Sequence, residues 1–370
     1  MLPFGLLRSL PRFIMSDYQF VDDFYDVIDT LRETATAGID TEFLREKTYF
    51  SQLCLIQFSS GEAIYCIDPL KPHDYADFWD ALCTPRWIVH SGRQDTEVIF
   101  QTAGKLPERL FDTQIAAGLL GKAPQMGYAN LVESLFDVQL PKSHTRADWS
   151  RRPLPEEWLR YAADDVAYLM PAFDLLSEKL DQAGRLTWAE EDSALLLNPS
   201  LYDPQPEDAI HRLKGARNFR GRRRAAAAAL AEWRETEAVR RNRPRQWILR
   251  DSTLLDMAVR QPRKPADLRR IDGFPAKLID RAGERLVRII DEAGHDEHYQ
   301  PPRPPDESQK RLVGELQGLI TKRSKELDIA AEVLAPRKEL SAAVLFGSRD
   351  TRVFGGWRRD VVGAELESML

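Results

Sequence analysis

The chain has 370 residues, of which 43% are hydrophobic, and a formal net charge of −6 at pH 7. This length suits two or three domains rather than one, and the hydrophobic content is sufficient for buried cores. No apolar run approaches the 18 or so residues of a membrane span, and the three cysteines lack the spacing of a zinc site. The composition indicates a soluble multidomain protein and argues against an integral membrane protein.

The first 15 residues, MLPFGLLRSLPRFIM, do not have the pattern of a targeting signal. Their arginines are scattered, and a basic start, an apolar core and a small-residue cleavage site are all missing. We interpret residues 1–15 as a flexible N-terminal extension of a cytoplasmic protein. Whether translation starts at Met1 or at Met15 is left open.

Residues 16–200 combine strand and helix patterns. Strands are predicted at 35–43, 51–60, 62–70 and 86–92, with a hairpin turn at Ser60-Gly61, and helices at 95–104, 111–120 and 155–180. Strands followed by helices indicate an α/β domain built on a mixed sheet.

The remainder of the chain reads as helical. Proline-rich stretches at 198–208 and 298–308 cannot continue a helix and act as linkers. Helical spacing is found at 222–241, 252–260, 265–271 and 276–293. We therefore predict a first helical domain over 209–294 and a second, more divergent one over 306–370.

Charge is distributed unevenly between these segments. Residues 1–200 hold 18 Lys and Arg against 31 Asp and Glu, whereas residues 210–290 hold 22 basic and 9 acidic residues. The helical segment could therefore bind a polyanion that the acidic segment would repel. The alternative is that these arginines form a solvated helical face against the acidic domain.

Three short motifs carry acids in positions suited to chemistry. Asp40 and Glu42, in AGIDTEFLRE, point to one face of a predicted strand. Asp95 lies in the first helical turn after the VHSG strand end, and Tyr161 and Asp165 are one turn apart on a later helix. Taken singly, each motif has an ordinary structural explanation. Asp40 and Glu42 could lie on a solvated strand face, Asp95 could be an acid near a helix N-terminus, and Tyr161 could be a half-buried aromatic beside a solvated Asp165.

Taken in order, the motifs resemble ribonuclease D, in the superfamily of 3′-to-5′ exonucleases with four acidic residues and its subclass with a tyrosine in the last motif. TYFSQLCLIQFS and LPKSHTRADWSRRPLPEEWLRYAADDVAYLMP extend the resemblance, with Ala147 where Ser or Thr is more usual. RRNRPRQWILRDSTLLDMAVRQPRKPADLRRIDGF resembles the helical module shared with RecQ-type helicases. The resemblance covers residues 16–370 and weakens in the last segment.

This resemblance implies a ribonuclease H-like exonuclease domain followed by two small all-helical domains. It also implies two divalent metal ions, Mg²⁺ or Mn²⁺, because clustered carboxylates repel one another unless a cation compensates them. Asp40 would bridge both ions, Glu42 and Asp165 would hold the one that activates water, and Asp95 the one beside the leaving oxygen. Tyr161 would orient the attacking water.

Candidate nucleic-acid contacts come partly from the resemblance and partly from the basic runs RLKGARNFRGRRR and RRNRPRQWILR. They are Thr41, Phe43, His90, Lys142, Arg146, Arg152, Arg220, Arg222, Arg223, Arg241, Arg243 and Arg245. For His90 the alternative is a hydrogen-bonded residue at a strand end, and for the loop cations it is surface salt bridges.

The leading hypothesis is a metal-dependent 3′-to-5′ exoribonuclease that trims 3′ extensions from structured RNA precursors such as tRNA and releases nucleoside 5′-monophosphates. The alternatives are a DNA 3′-to-5′ exonuclease in repair and a non-catalytic RNA-binding scaffold. The chain lacks a GxxxxGK[ST] phosphate loop, so no nucleotide cofactor is expected. A monomer is favoured, although the acidic and basic blocks could also pair between two chains.

Overall fold

The computed structural model describes residues 18–71, 75–141 and 147–370. These residues form two compact units. The first contains residues 18–44, 53–202 and 305–370, and the second contains Arg45–Gln52 and Asp203–Pro304. The final segment, predicted to be a separate helical domain, thus belongs to the same compact unit as the sheet.

The first unit is built on a six-stranded mixed sheet with the strand order β1-β4-β3-β2-β5-β6. Its strands are β1 (Tyr18–Val21), β2 (Thr36–Leu44), β3 (Gln52–Ser59), β4 (Ile64–Ile67), β5 (Arg86–Val89) and β6 (Leu110–Asp112). The β3 and β4 strands pair antiparallel through a turn in which Gly61 has a φ of 88°, whereas β2 and β6 both run parallel to β5. The mixed sheet and the hairpin are confirmed.

Helices flank this sheet and bury its apolar side chains. They are α1 (Tyr25–Glu33), α2 (Ala76–Leu82), α3 (Arg93–Ala103), α4 (Thr113–Leu119), α5 (Tyr128–Phe136), α6 (Glu156–Ala167), α7 (Leu169–Gln182) and α8 (Leu186–Ala194). The helical pattern at 155–180 is interrupted at Tyr168, because Pro171 has no N–H to donate to the carbonyl oxygen four residues earlier.

The second unit is all-helical. It contains α9 (Ala209–Arg212), α10 (Gly221–Arg241), α11 (Arg245–Ile248), α12 (Asp251–Arg260) and α13 (Ala276–Glu292), with a 3₁₀ segment over Pro265–Arg270. The alanine run lies inside α10, where Ala226, Ala227 and Ala231 are fully buried. Small side chains there allow α12 and α13 to pack closely against α10.

The final segment contains α14 (Glu307–Leu327), α15 (Ala331–Leu334), α16 (Arg337–Phe346), α17 (Gly356–Arg358) and α18 (Ala364–Met369). It is joined to the sheet-containing unit by Trp357, which stacks on Trp188 with ring centroids 4.4 Å apart. Arg358 beside it donates two hydrogen bonds, of 2.5 and 2.7 Å, to the buried carboxylate of Asp192. These contacts explain why this segment is part of the first unit.

None of the helices in the described part of the chain combines the length and the apolar character needed to cross a bilayer.

Candidate active site

Strand β2 presents the first two acids from the middle of the sheet. Ile39 before them is buried in the core, while Asp40 and Glu42 are half-buried. Between them, Thr41 is 6% exposed and its hydroxyl donates a 2.5 Å hydrogen bond to Asp95 Oδ1. The strand therefore supplies two acids and also fixes the position of a third.

Asp95 is held at the start of α3 by a tight turn that follows β5. Ser91 in this turn has a φ of 57°, and a side chain at Gly92 would come within 2.3 Å of Val89 Cγ2. The backbone N–H groups of Ser91 and Gly92 donate to the Asp112 carboxylate at 3.0 and 2.9 Å. Only glycine fits at this position, and the turn places Asp95 beside β2.

Asp112 is a positioning residue that our reading of the sequence missed. Besides ordering the turn before Asp95, its carboxylate caps α4 by accepting the backbone N–H of Gln114 at 2.8 Å. Its signal was present in the sequence, because an aspartate directly before a helical run is the expected N-cap. What the sequence does not show is that the same carboxylate reaches back to the turn before α3.

Helix α6 contributes Tyr161 and Asp165, one turn apart on the same face. The Tyr161 hydroxyl donates a hydrogen bond to Asp165, and burial together with the charges of Asp165, Glu42 and Asp40 raises the pKa of the phenol. Tyr161 therefore stays protonated at neutral pH. Its hydroxyl can orient a bound molecule but cannot act as a base.

The four acids lie close enough to affect one another electrostatically. The pKa of Asp40 is raised well above its usual value by burial and by the charges of Asp95, Asp165 and Glu42. Burial is the largest cause for the others too, raising the pKa of Glu42 to about 9, of Asp165 to about 7 and of Asp95 to about 6. The structure thus brings together all four predicted carboxylates and Tyr161.

Such a donor set fits divalent metal ions, because hard cations prefer oxygen ligands and relieve repulsion among carboxylates. Within residues 18–71, 75–141 and 147–370, no three acidic, histidine or cysteine side chains are arranged closely enough to enclose an ion. Two of the four acids accept hydrogen bonds from neighbouring side chains, Asp95 from Thr41 and Asp165 from Tyr161. The residues match a metal site in chemistry, and side-chain rotation would be needed to close it.

Several of the predicted nucleic-acid contacts have partners within the protein. His90 is hydrogen-bonded at both ring nitrogens, to Thr113 Oγ1 at 2.9 Å and to the Met126 carbonyl oxygen at 2.8 Å, and burial lowers its pKa. Arg152 forms two 2.6 Å hydrogen bonds with Asp68. Phe43 packs against the core, and Lys142 and Arg146 lie outside the described residues. His90 and Arg152 thus both have structural partners, and the partner of Arg152 is a buried carboxylate.

Tyr128 is a further residue near the acids that the sequence did not suggest. Its hydroxyl accepts the backbone N–H of Tyr168 at 3.0 Å, and its ring lies 5.5 Å from that of His90. Burial and the charges of Asp165 and Asp40 raise the pKa of its phenol. Tyr128 therefore forms part of the wall of the site.

In the all-helical unit, the predicted arginines differ in their surroundings. Arg220 and Arg223 are exposed, and Arg222 pairs with Asp291 at 3.3 Å. Arg243 lies over the ring of Trp247, which is 60% exposed, whereas Ile248 and Leu249 after it are buried. Arg241 and Arg245 pair with the buried Glu237 and Glu235 respectively.

Comparison with known proteins gives the same result for the fold. Residues 18–181 match the family model of a 3′-5′ exonuclease, and residues 223–290 match that of the HRDC domain. The catalytic core of RRP6 from Trypanosoma brucei shares the fold, with a TM-score of 0.57 at 22% identity, covering 77% of this chain and 81% of that one.

Relatives that match over nearly the whole chain are ribonucleases D. That of Gluconacetobacter diazotrophicus is 35% identical over 93% of this chain and 90% of its own length, and that of Pseudomonas paraeruginosa is 33% identical over 96% and 98%. The crystal structure of Escherichia coli RNase D superposes with a TM-score of 0.86 at 29% identity, covering 96% of this chain and 99% of that one. The chain belongs to the ribonuclease D family of 3′-to-5′ exoribonucleases.

Proposed function

We propose that this protein trims 3′ extensions from structured RNA precursors, such as those of tRNA, and releases nucleoside 5′-monophosphates in a reaction that uses two divalent metal ions. The observation that carries this proposal is the group of four carboxylates beside Tyr161, whose charges raise one another's pKa values. Exonucleases of this superfamily use divalent metals. The choice of two ions, Mg²⁺ or Mn²⁺, is part of the proposal.

In this proposal Asp40 would bridge the two ions, since it is affected by all three other acids. Glu42 and Asp165 would hold one ion and Asp95 the other. When bound, the ions supply charge stabilisation for an in-line phosphoryl displacement and lower the pKa of the attacking water. Thr41 would keep Asp95 oriented through its hydroxyl.

Tyr161 would hold the attacking water in line with the scissile phosphodiester bond. Its raised pKa keeps the phenol protonated, so positioning suits it better than proton abstraction. No covalent bond to the protein is required, because water attacks phosphorus and the 3′ oxygen of the penultimate nucleotide leaves. A 5′-monophosphate is the product of that bond cleavage.

Two observations support a nucleic-acid substrate, and the first of them favours RNA. The Escherichia coli relative is described as an exoribonuclease involved in structured RNA processing, and the second unit carries the basic residues that a polyanion requires. A cytoplasmic location and a monomeric state complete the proposal. A repair role on DNA uses the same acids, and direct competition separates the two.

The test uses a 3′-extended tRNA precursor labelled at its 5′ end. Purified protein is incubated with it in Mg²⁺, in Mn²⁺ and in EDTA, beside the Asp40→Ala variant and a DNA strand of matched sequence. We expect stepwise 3′ shortening that requires metal and Asp40 and prefers RNA. Equal or faster trimming of DNA would favour the repair nuclease, and tight binding without shortening would favour the scaffold.

A further inference from the structure

The arginines of the second unit fall into two groups that the sequence cannot separate. In the first group, Arg212 and Arg245 pair with Glu235, which has no exposed surface, at 3.0 and 3.3 Å. Arg240 pairs in the same way with Glu237, which is 5% exposed, at 3.0 Å. Their charge is largely neutralised inside the unit.

A second group lines a groove of about 900 Å³ formed by the first turn of α10, the end of α12, the following loop and α13. This group consists of Arg222, Arg260, Arg263 and Arg288, all of them exposed, and the groove also contains Glu284 and Asp291. Four positive charges against two negative ones leave the groove basic. A concave surface with one dominant charge concentrates its field on a bound ion.

The charges in this groove are available to a ligand. Arg222 pairs with Asp291, which is 84% exposed, and Arg260 pairs at 2.8 Å with Asp256 on its own helix. Exposed pairs of this kind contribute little and exchange readily for other partners. Neither Arg263 nor Arg288 forms an ion pair with any residue in the described ranges.

The groove also offers apolar surface between its arginines. Val259 is 39% exposed and lines the groove together with Pro265 and Val287. Guanidinium groups bind phosphate oxygens in a forked geometry, and an apolar floor accepts ribose and base faces. Positively charged grooves that follow the backbone are one of the two elements by which proteins bind single-stranded nucleic acid without sequence preference, and it is this element that the groove supplies.

We propose that this groove binds a single-stranded segment of the RNA substrate, with Arg263 and Arg288 contacting its phosphodiester backbone. The proposal rests on the proposed function, since it takes RNA as the substrate. It assigns binding to residues of which only Arg222 belongs to the set predicted from the basic runs. An acidic segment of a partner protein would bind the same arginines, but it has no bases to place on the apolar floor of the groove.

The test measures binding of a fluorescent single-stranded RNA to the full chain in EDTA, by anisotropy, across a range of salt concentrations. The variant is Arg263→Glu/Arg288→Glu. Its matched control is Arg269→Glu/Arg270→Glu, which makes the same charge change at exposed positions of the neighbouring 3₁₀ segment outside the groove. A milder pair, Arg263→Gln/Arg288→Gln, guards against misfolding, which circular dichroism would reveal.

Loss of two phosphate contacts should weaken RNA binding about tenfold and reduce the slope of log K against log salt by about 1.4, or about 0.7 per contact. The control variant should change neither the RNA affinity nor the salt slope by a comparable amount. Equal losses in both variants, or none in the groove variant, would overturn the proposal, as would loss of binding to an acidic peptide with RNA affinity intact. Shortening of RNA by the wild type in Mg²⁺ is scored separately, so failure of the groove is distinguishable from failure of the function.

Discussion

Two sets of buried carboxylates in this protein differ in what compensates them. In the first unit, Asp40 and Glu42 are surrounded by other acids, and their pKa values are raised. In the second unit, Glu237 is buried as well, and burial alone would raise its pKa, but Arg240 and Arg241 together outweigh that effect and hold the pKa below the usual value. Carboxylates without a cationic partner mark the proposed site of chemistry here, whereas paired ones stabilise the fold.

The same comparison explains how an acidic domain can act on a polyanion. The acids of the first unit are concentrated where metal ions would neutralise them, and the second unit keeps only part of its positive charge for the solvent. Net charge in the sequence therefore overstates the surface that is available for RNA. Each prediction below alters one side of this comparison.

The largest effect is expected from removing one uncompensated charge. Asp165→Asn should lower kcat by roughly 10³-fold, because an amide is a weaker metal ligand than a carboxylate. Asp164→Asn is the matched control, since Asp164 precedes it on α6 and is half-buried, and its charge raises the pKa of Asp165 but is not among the named causes for Asp40 or Glu42. Single-turnover cleavage of a short RNA measures both, and equal losses in the two variants would refute the assignment of Asp165.

A smaller effect, on stability, is expected from removing a buried carboxylate that is paired with arginines. Glu235→Gln removes the negative charge that binds Arg212 and Arg245, and Glu235 also accepts a hydrogen bond from Tyr49. Breaking a buried pair costs about 3–5 kcal/mol, but these arginines are 40% and 38% exposed and regain hydration. We expect a loss of about 1–3 kcal/mol in the free energy of unfolding.

Urea denaturation followed by circular dichroism would measure that loss. Glu232→Gln, an exposed position on the same helix, should leave the midpoint almost unchanged. If Glu235→Gln stabilised the protein, Glu235 would belong with the uncompensated acids and the comparison would fail.

The two sets should also respond to pH in opposite directions when metal is absent. Raised pKa values, such as about 9 for Glu42 and about 7 for Asp165, mean that the folded state binds more protons than the unfolded state above pH 4. Their contribution to stability is therefore present below about pH 4 and is lost as the pH rises to about 9. Glu237, with its lowered pKa, stabilises above about pH 4.5 and loses this contribution as the pH falls.

Thermal melting in EDTA between pH 5 and 9 tests this difference. Asp40→Asn should raise the Tm at pH 9 by about 5 °C and have a smaller effect at pH 5, and Mg²⁺ should remove most of the difference by stabilising the wild type. A Tm difference that stayed constant with pH would show that the acids are not coupled as described.

The sequence predicted those parts of the fold and site that are encoded locally. Period-two alternation placed Asp40 and Glu42 on one face of β2, the VHSG strand end placed Asp95, and helical spacing placed Tyr161 beside Asp165. The strands β1 and β6 were not predicted, because they have four and three residues, too few to establish a period.

Features that depend on distant residues could not be predicted. Nothing near Asp112 shows that it would order the turn before α3, and nothing near Arg212 shows that it would pair with the buried Glu235. The final segment packs into the first unit through Trp357 and Arg358, whose partners lie about 170 residues earlier. Contacts of this range leave no periodic signal in the sequence.

The smallest effect is expected at Thr41, where a hydroxyl rather than a charge is removed. Thr41→Val keeps the shape of the side chain but deletes its hydrogen bond to Asp95, which lowers the pKa of that carboxyl. Without the bond, the Asp95 pKa should rise further above 6, so a larger share of Asp95 is protonated at neutral pH and binds metal less well.

We expect the Mg²⁺ concentration for half-maximal activity at pH 7 to rise by about 3- to 10-fold, the equivalent of about 1 kcal/mol, with kcat at saturating Mg²⁺ nearly unchanged. Thr41→Ser retains the hydroxyl and should restore the wild-type value. If serine failed to do so, the methyl group of Thr41 would be what matters, through packing. In that case Asp95 would be positioned mainly by the glycine turn and Asp112.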